Sequence, residues 1–235
     1  MVPRPKPKSS WLTLLFVTAA VVIWAYDQKK VLDHPTKPGV SQTEKSQPPP
    51  PSSPKAKDTE KTGRYEVYRR STLVEAHNND GDSFMVRLPT GKQAEFRLYF
   101  VDTPESAFKS YADGETNHQR IHQQASDLGG ITDEQAVEIG KKGKAFTLAL
   151  LASQPFTIYT EWDSPFHDHR FHAHVQVVQD GKSRWLHQLL VERGLVRLIT
   201  KPADLPDGTP AATEKQNLRN LEREAKRKEI GVWGL

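Results

Sequence analysis

Two short acidic clusters bracket an alternating hydrophobic hairpin. Asp80-Gly81-Asp82-Ser83 lies at a turn entering one strand, and Asp102-Thr103-Pro104-Glu105 lies where the next strand stops. Proline has no amide hydrogen to give a central ladder, so Pro104 turns the second cluster into a loop. If the hairpin pairs, the start of one strand lies beside the end of the next, and Asp82 and Asp102 become neighbours. Nearby carboxylates repel and raise a pKa unless a cation sits between them. The chain has no cysteine, so thiolate ligands are excluded. The oxygen donors that remain suit a hard ion such as Ca2+ or Mg2+. Either cluster alone reads as an ordinary turn or strand end. Arg97 on the intervening strand and Arg170 in a later turn change that balance, because acids gathered with guanidiniums suit a site that binds metal and phosphate together.

The elements that must position these residues follow from periodicity. Phe84, Val86 and Leu88 alternate with polar positions before a Pro89-Thr90-Gly91 turn, and Phe96, Leu98 and Phe100 continue the period of two. Arg97 and Asp102 are an odd number of residues apart. Regular alternation would therefore point them to opposite faces, and bringing them together requires a bulge or an early strand end. Thr132-Asp133-Glu134-Gln135 is a capping-box start for a helix, although Gly140 and Gly143 weaken its middle and favour a later start. Phe156–Trp162 and the run from Phe171 to Val177 read as further strands. Asp180-Gly181 is expected to turn the chain directly into a helix carrying Trp185, Leu189 and Leu190, closed by Gly194. A last amphipathic helix holds Leu218, Leu221 and Ala225. Strands first, helices later and no βαβ rhythm predict an α+β barrel.

The 235-residue chain divides by composition into three parts. Residues 1–31 hold a basic flank (Arg4, Lys6, Lys8) and an apolar run of sixteen residues, Trp11–Tyr26. At 1.5 Å per residue that run spans about 24 Å, a little short of the hydrocarbon core. Its flank predicts the rest of the chain on the far side of a membrane. An uncleaved anchor is one reading. A cleaved signal peptide is the other, with Ala25 at the cut but Ile23 a poor fit two residues before. Residues 32–63, with Pro48–Pro51 and Pro54, read as a stiff spacer without core pattern. Residues 64–235 are then the folded domain, long enough to bury a core without staples. A net charge of +4 leans mildly towards polyanionic partners.

Taken together, Asp80-Gly81-Asp82-Ser83, then Arg97 and Val101-Asp102-Thr103-Pro104-Glu105, then Arg170 before Phe171, resemble the staphylococcal nuclease (thermonuclease) family. Asp180-Gly181-Lys182 to Leu195 and Leu218 to Trp233 are similar to that family's later half, so the likeness runs over about residues 66–234. It implies a five-stranded OB-like barrel with about three helices. It also implies a calcium-dependent endonuclease that cuts DNA or RNA and leaves 3′-phosphates. Carried over residue by residue, Asp82, Asp102 and the Thr103 carbonyl would hold Ca2+. Glu105 would be the general base, and Arg97 and Arg170 would clamp the phosphate. A barrel that binds nucleic acid with little or no turnover is the alternative, and an envelope scaffold for a protein partner is a third.

The pattern departs in places. His169 stands where the family has glycine, and histidine tolerates the left-handed conformation less well. Base-stacking tyrosines are not evident, with Asp168 and Ile199-Thr200-Lys201-Pro202 in their places. Residues 106–131 form a Gln-, His- and Asp-rich insertion whose plainer reading is a flexible surface loop. His118 and His122 have a zinc-compatible spacing but no third ligand. Among His167, His169, His172 and His174, the last two are expected on the exposed polar face of a strand.

Overall fold

The computed structural model describes residues 58–164 and 169–235. The apolar run at 11–26, the proline-rich segment, His167 and Asp168 lie outside the described residues. Among the described residues no helix is long and apolar enough to cross a membrane.

Among the described residues seven strands form one sheet: β1 (Thr59–Thr62), β2 (Tyr65–Leu73), β3 (Ser83–Arg87), β4 (Gln93–Leu98), β5 (Phe156–Thr160), β6 (Arg170–Gln179) and β7 (Lys182–Trp185). Their order is β1-β2-β3-β4-β6-β5, and β5 pairs back onto β2, closing a five-stranded barrel. All pairs are antiparallel except β4 with β6. This is an α+β, OB-like arrangement. Closure requires β2 to serve two neighbours, and a register shift between Tyr68 and Ser71 accomplishes it. Arg70 takes φ +60° there, so the strand bends as bulged strands do. Its first half faces β5 and its end faces β3.

Alternation fills the barrel. Phe84, Val86, Phe96, Leu98, Ile158 and Val175 are fully buried, and burying a side chain of this size stabilises by about 1.5–3 kcal/mol. Four α-helices surround the barrel among the described residues: α1 (His118–Asp127), α2 (Asp133–Ser153), α3 (Leu186–Glu192) and α4 (Ala211–Arg227). A 3-10 turn at Gly231–Gly234 follows. About three helices were expected, and the extra one is α1 inside the insertion.

Three boundaries differ from the sequence reading. Strand β1 lies inside the stretch read as spacer, so ordered backbone begins before residue 64. Asp180-Gly181 leads first into β7 and only then into α3. Helix α2 starts at its capping box, with no delay from its glycines. The Gln135 amide donates to Thr132 Oγ1 at 3.2 Å, and the Thr132 amide donates to Gln135 Oε1 at 2.9 Å.

The glycines have a packing reason. A Cβ on Gly140 would lie 2.5 Å from the Pro104 carbonyl oxygen and closer still to that of Glu105. One on Gly81 would meet Thr103 Cγ2 at 2.6 Å and the α2 backbone at 3.0 Å. Thr147 Oγ1 completes the junction by donating to the Gly81 carbonyl at 2.8 Å. Helix α2 therefore rests directly on both acidic loops, an approach that only hydrogen-sized side chains permit.

Candidate active site

The end of β4 resolves the parity problem. The strand stops at Leu98, and Phe100 takes φ +70°. Asp102 then forms an isolated antiparallel bridge with Arg197, each amide donating to the other's carbonyl at 3.0 Å. An early strand end with one left-handed residue thus returns Asp102 to the side of Arg97. The first cluster is fastened to the same place, since the Leu98 amide donates to the Asp82 carbonyl at 2.8 Å.

The side chains converge. Arg97 Nη2 lies 3.1 Å from Asp82 Oδ2 and 2.6 Å from Asp102 Oδ1. Thr103 Oγ1 donates to Asp82 Oδ1 at 3.2 Å. Two groups that sequence reasoning missed complete the set around Asp102. Arg120 Nη2 reaches Oδ1 at 2.9 Å, and Arg197 Nε reaches Oδ2 at 2.7 Å. Gln124 Nε2 also donates to Oδ2, at 3.1 Å, and to the Thr103 carbonyl at 3.2 Å. Asp82, Arg97, Asp102, Thr103 and Arg197 are all buried.

These surroundings split the two acids. Burial pushes Asp102 up, but the guanidiniums of Arg120, Arg197 and Arg97 outweigh it and hold the carboxyl below its ordinary range. At Asp82, burial and the nearby charges of Asp102 and Asp80 outweigh Arg97 and the hydrogen bond from Thr103. That carboxyl is pushed up to about 7.

Arg170 opens β6 opposite Glu95 of β4. His169 before it takes φ +63°, so the backbone turns there as a glycine would allow despite the histidine. Arg170 shares a cavity of about 500 Å³ with Arg97, Arg120, Arg197, Lys201 and Asp102. Five cationic side chains and one carboxylate line this hollow, and Arg197 and Lys201 also pair with Asp127 and Asp163 beside it. A larger hollow of about 600 Å³, between Leu73 and the C-terminal end of α2, holds Glu75 as its only ionisable side chain.

Glu105 is not on the cavity wall but is joined to it through Arg120, whose Nε donates to Glu105 Oε1 at 2.9 Å. Its other oxygen faces Asn117 Nδ2 at 3.4 Å and Lys109 Nζ at 3.5 Å. Asp82, Arg97, Asp102 and Thr103 therefore touch, Arg170 joins them across the cavity, and Glu105 joins them at one remove.

Several expectations are corrected. The insertion is a structured wall of the site, with Ile121, Gln124 and Ala125 of α1 buried and α1 packed on α2. His118 contacts the Phe108 ring and His122 pairs with Asp133, so the two do not act together. His172 and His174 are buried, not exposed. The His172 ring stacks on Tyr99, and His174 Nε2 lies 3.0 Å from the Asp204 carbonyl. The segment after β7 covers this outer face of β6, which holds His174 well below the usual imidazole range. Among the described residues no three His, Asp or Glu side chains converge as a metal-binding group.

A hard cation nonetheless suits the donors present. Two carboxylates meet at one cationic nitrogen, and the buried Asp82 Oδ2 receives no hydrogen bond, only the charge of Arg97. Asp102 already accepts from four donors. A cation would therefore exchange with Arg97, with water and phosphate oxygens completing its shell.

No known family model and no curated protein matches the chain. Among solved structures, the extended Tudor domain of Drosophila melanogaster Tudor-SN (p100) aligns at TM-score 0.35 and 9% identity. The alignment covers 92% of this chain and 87% of that one. Similarity at that level assigns neither an activity nor a site.

Proposed function

We propose that the chain is a calcium-dependent nuclease that hydrolyses phosphodiester bonds of DNA or RNA. The observation that carries this reading is the cationic cavity lined by Arg97, Arg170, Arg197 and Lys201, set against the buried Asp82–Asp102 pair. A phosphodiester repels hydroxide, so its hydrolysis needs cationic clamps and a positioned water. Arg97 and Arg170 bind the two non-bridging oxygens and meet the charge that builds as the water oxygen adds to phosphorus. Glu105 takes the proton of that water once Arg120 turns from it to the phosphate. Asp82, Asp102 and the Thr103 carbonyl would hold Ca2+, which supplies Lewis-acid neutralisation of the same phosphate. The bond from phosphorus to the 5′ oxygen breaks, that oxygen leaves as a 5′-hydroxyl with a proton taken from solvent water, and the other product ends in a 3′-phosphate. We further propose that residues 1–31 hold the domain on the outer side of a cell membrane, or release it outside if the segment is cleaved.

A second reading has one specific observation in its favour. Glu105 is held by Arg120 and lies off the cavity wall, as in a barrel that binds nucleic acid without cutting it. Incubation of the purified protein with single- and double-stranded DNA and RNA, in Ca2+ or in chelator, separates the two. Chelator-sensitive cleavage, abolished in Arg170→Ala and slowed at least 100-fold in Glu105→Gln, supports the nuclease. Binding without cleavage under every condition refutes it in favour of the barrel that only binds.

A further inference from the structure

The insertion carries exposed aromatic rings on a rigid mount, a combination that phosphate chemistry leaves unused. Phe108 and Tyr111 show 43% and 49% of their surface. The backbone on both sides of Phe108 is fixed by Asn117, itself buried. The Lys109 amide donates to Asn117 Oδ1 at 2.7 Å, and Asn117 Nδ2 donates to the Ala107 carbonyl at 2.9 Å. That same Nδ2 lies 3.4 Å from Glu105 Oε2. On one side the Phe108 ring meets His118 at 5.2 Å in a perpendicular contact. His118 opens α1 two residues before Arg120, which lines the cationic cavity. Phe108 is thus held within a few hydrogen bonds of Glu105 while much of its ring faces solvent.

We infer that the insertion is a subsite for an unpaired nucleobase adjoining the phosphate in the cavity. Phe108 is its stacking platform, Tyr111 a second ring on the same loop, and Arg120 the contact to the phosphate between. The inference rests on the nucleic-acid reading above and narrows its substrate class to single-stranded DNA or RNA. Charge complementarity selects this occupant: a polyanion seated among the arginines meets Arg120, and Arg120 and the ring platform belong to one insertion. Every base has a π-face, so such a platform is tolerant of sequence. In a duplex both faces are covered by neighbouring bases, so the ring engages only a base that is already free. A ring with two side-chain torsions also loses little freedom on binding.

The test measures binding without turnover. Fluorescence anisotropy of a labelled oligonucleotide, single-stranded or in a blunt duplex, is followed with the full-length protein. It is run in chelator and, with phosphorothioate linkages blocking hydrolysis, in Ca2+. Phe108→Ala is expected to weaken single-strand binding about 5- to 150-fold, as for loss of one stacked base, with duplex affinity within about twofold. Phe108→Tyr is expected to restore the single-strand affinity. An equal loss on both forms overturns the subsite. So does unchanged single-strand affinity, the outcome for a ring that serves a protein contact. In either case the nuclease reading stands. If the unmodified protein binds neither form, both inferences fall.

Discussion

Substituting Gly140 by alanine tests whether helix α2 sets the geometry of the acidic loop. The helix should gain from the change, because alanine is better than glycine in a helix interior by about 1 kcal/mol. Against this, the new Cβ would sit 2.5 Å from the Pro104 carbonyl oxygen, where ordinary contact begins at 3.4 Å. The loop or the helix must therefore retreat by at least about 0.9 Å, because contacts to carbon are repulsive well inside about 3.5 Å. Overpacking of this kind costs about 1–3 kcal/mol, so the net change in stability should be a loss of at most about 2 kcal/mol. The functional cost should be larger. Pro104 lies between Thr103 and Glu105, and misplacing reacting groups by about 1 Å costs on the order of 100-fold in rate. The assays are urea unfolding and steady-state cleavage of single-stranded DNA. The expected result is a modest shift in midpoint with kcat reduced about 100-fold. A Gly140→Ala protein with full activity, or one that simply unfolds, would refute the claim that this glycine spaces helix from loop.

The two acids should also show themselves through pH. Between pH 3.8 and about 7, Asp82 holds a proton in the folded protein but not in the unfolded one. The cation-free protein should therefore lose stability as pH rises through that window, and level off above it. Asp102 acts in the opposite sense, its contribution fading only as pH falls below the ordinary carboxylate range. Calorimetry in buffers of differing ionisation enthalpy should then find about one proton released per Ca2+ bound at pH 6; none released would contradict the environment assigned to Asp82. Arg197→Met removes one of three guanidiniums from buried Asp102. It should cost about 3 kcal/mol in urea unfolding, the low end for a broken buried pair, because Arg97 and Arg120 remain. A loss below about 1 kcal/mol would mean that Arg197 does not hold Asp102 in solution. Thr132→Ala should lower the stability of the domain by about 1 kcal/mol through loss of the capping box, read as a fall in Tm.

What the sequence reveals here is local chemistry. The strand after Asp80-Gly81-Asp82-Ser83, the loop at Asp102-Thr103-Pro104-Glu105 and the capping box of α2 each depend on neighbours within a few residues, and each is found in the structure, although the strand before that loop already ends at Leu98. The groups around Asp102 were not legible for the opposite reason. Arg120, Gln124 and Arg197 reach it from 18, 22 and 95 residues away. Helix α1 buries only Ile121, Gln124 and Ala125, a stripe too short to stand out in a Gln- and His-rich stretch. Strand β7, Lys-Ser-Arg-Trp, has no alternation to betray it. His172 and His174 fit the usual polar face of a strand, and Tyr99 stacked on His172 together with the later chain folding over His174 makes that face interior. Gly140 and Gly143 looked like weaknesses of a helix because the loop they accommodate is distant in sequence.

By standing between Asp82 and Asp102, Arg97 acts as a built-in counterion for that acidic pair. A cation taken up there would have to displace a guanidinium already paired with both acids, so its affinity would be a difference between two buried ion pairings. Its occupancy would then respond to whatever gives the displaced guanidinium a new partner. A phosphate in the neighbouring hollow is such a partner, so ion and substrate would each ease the entry of the other.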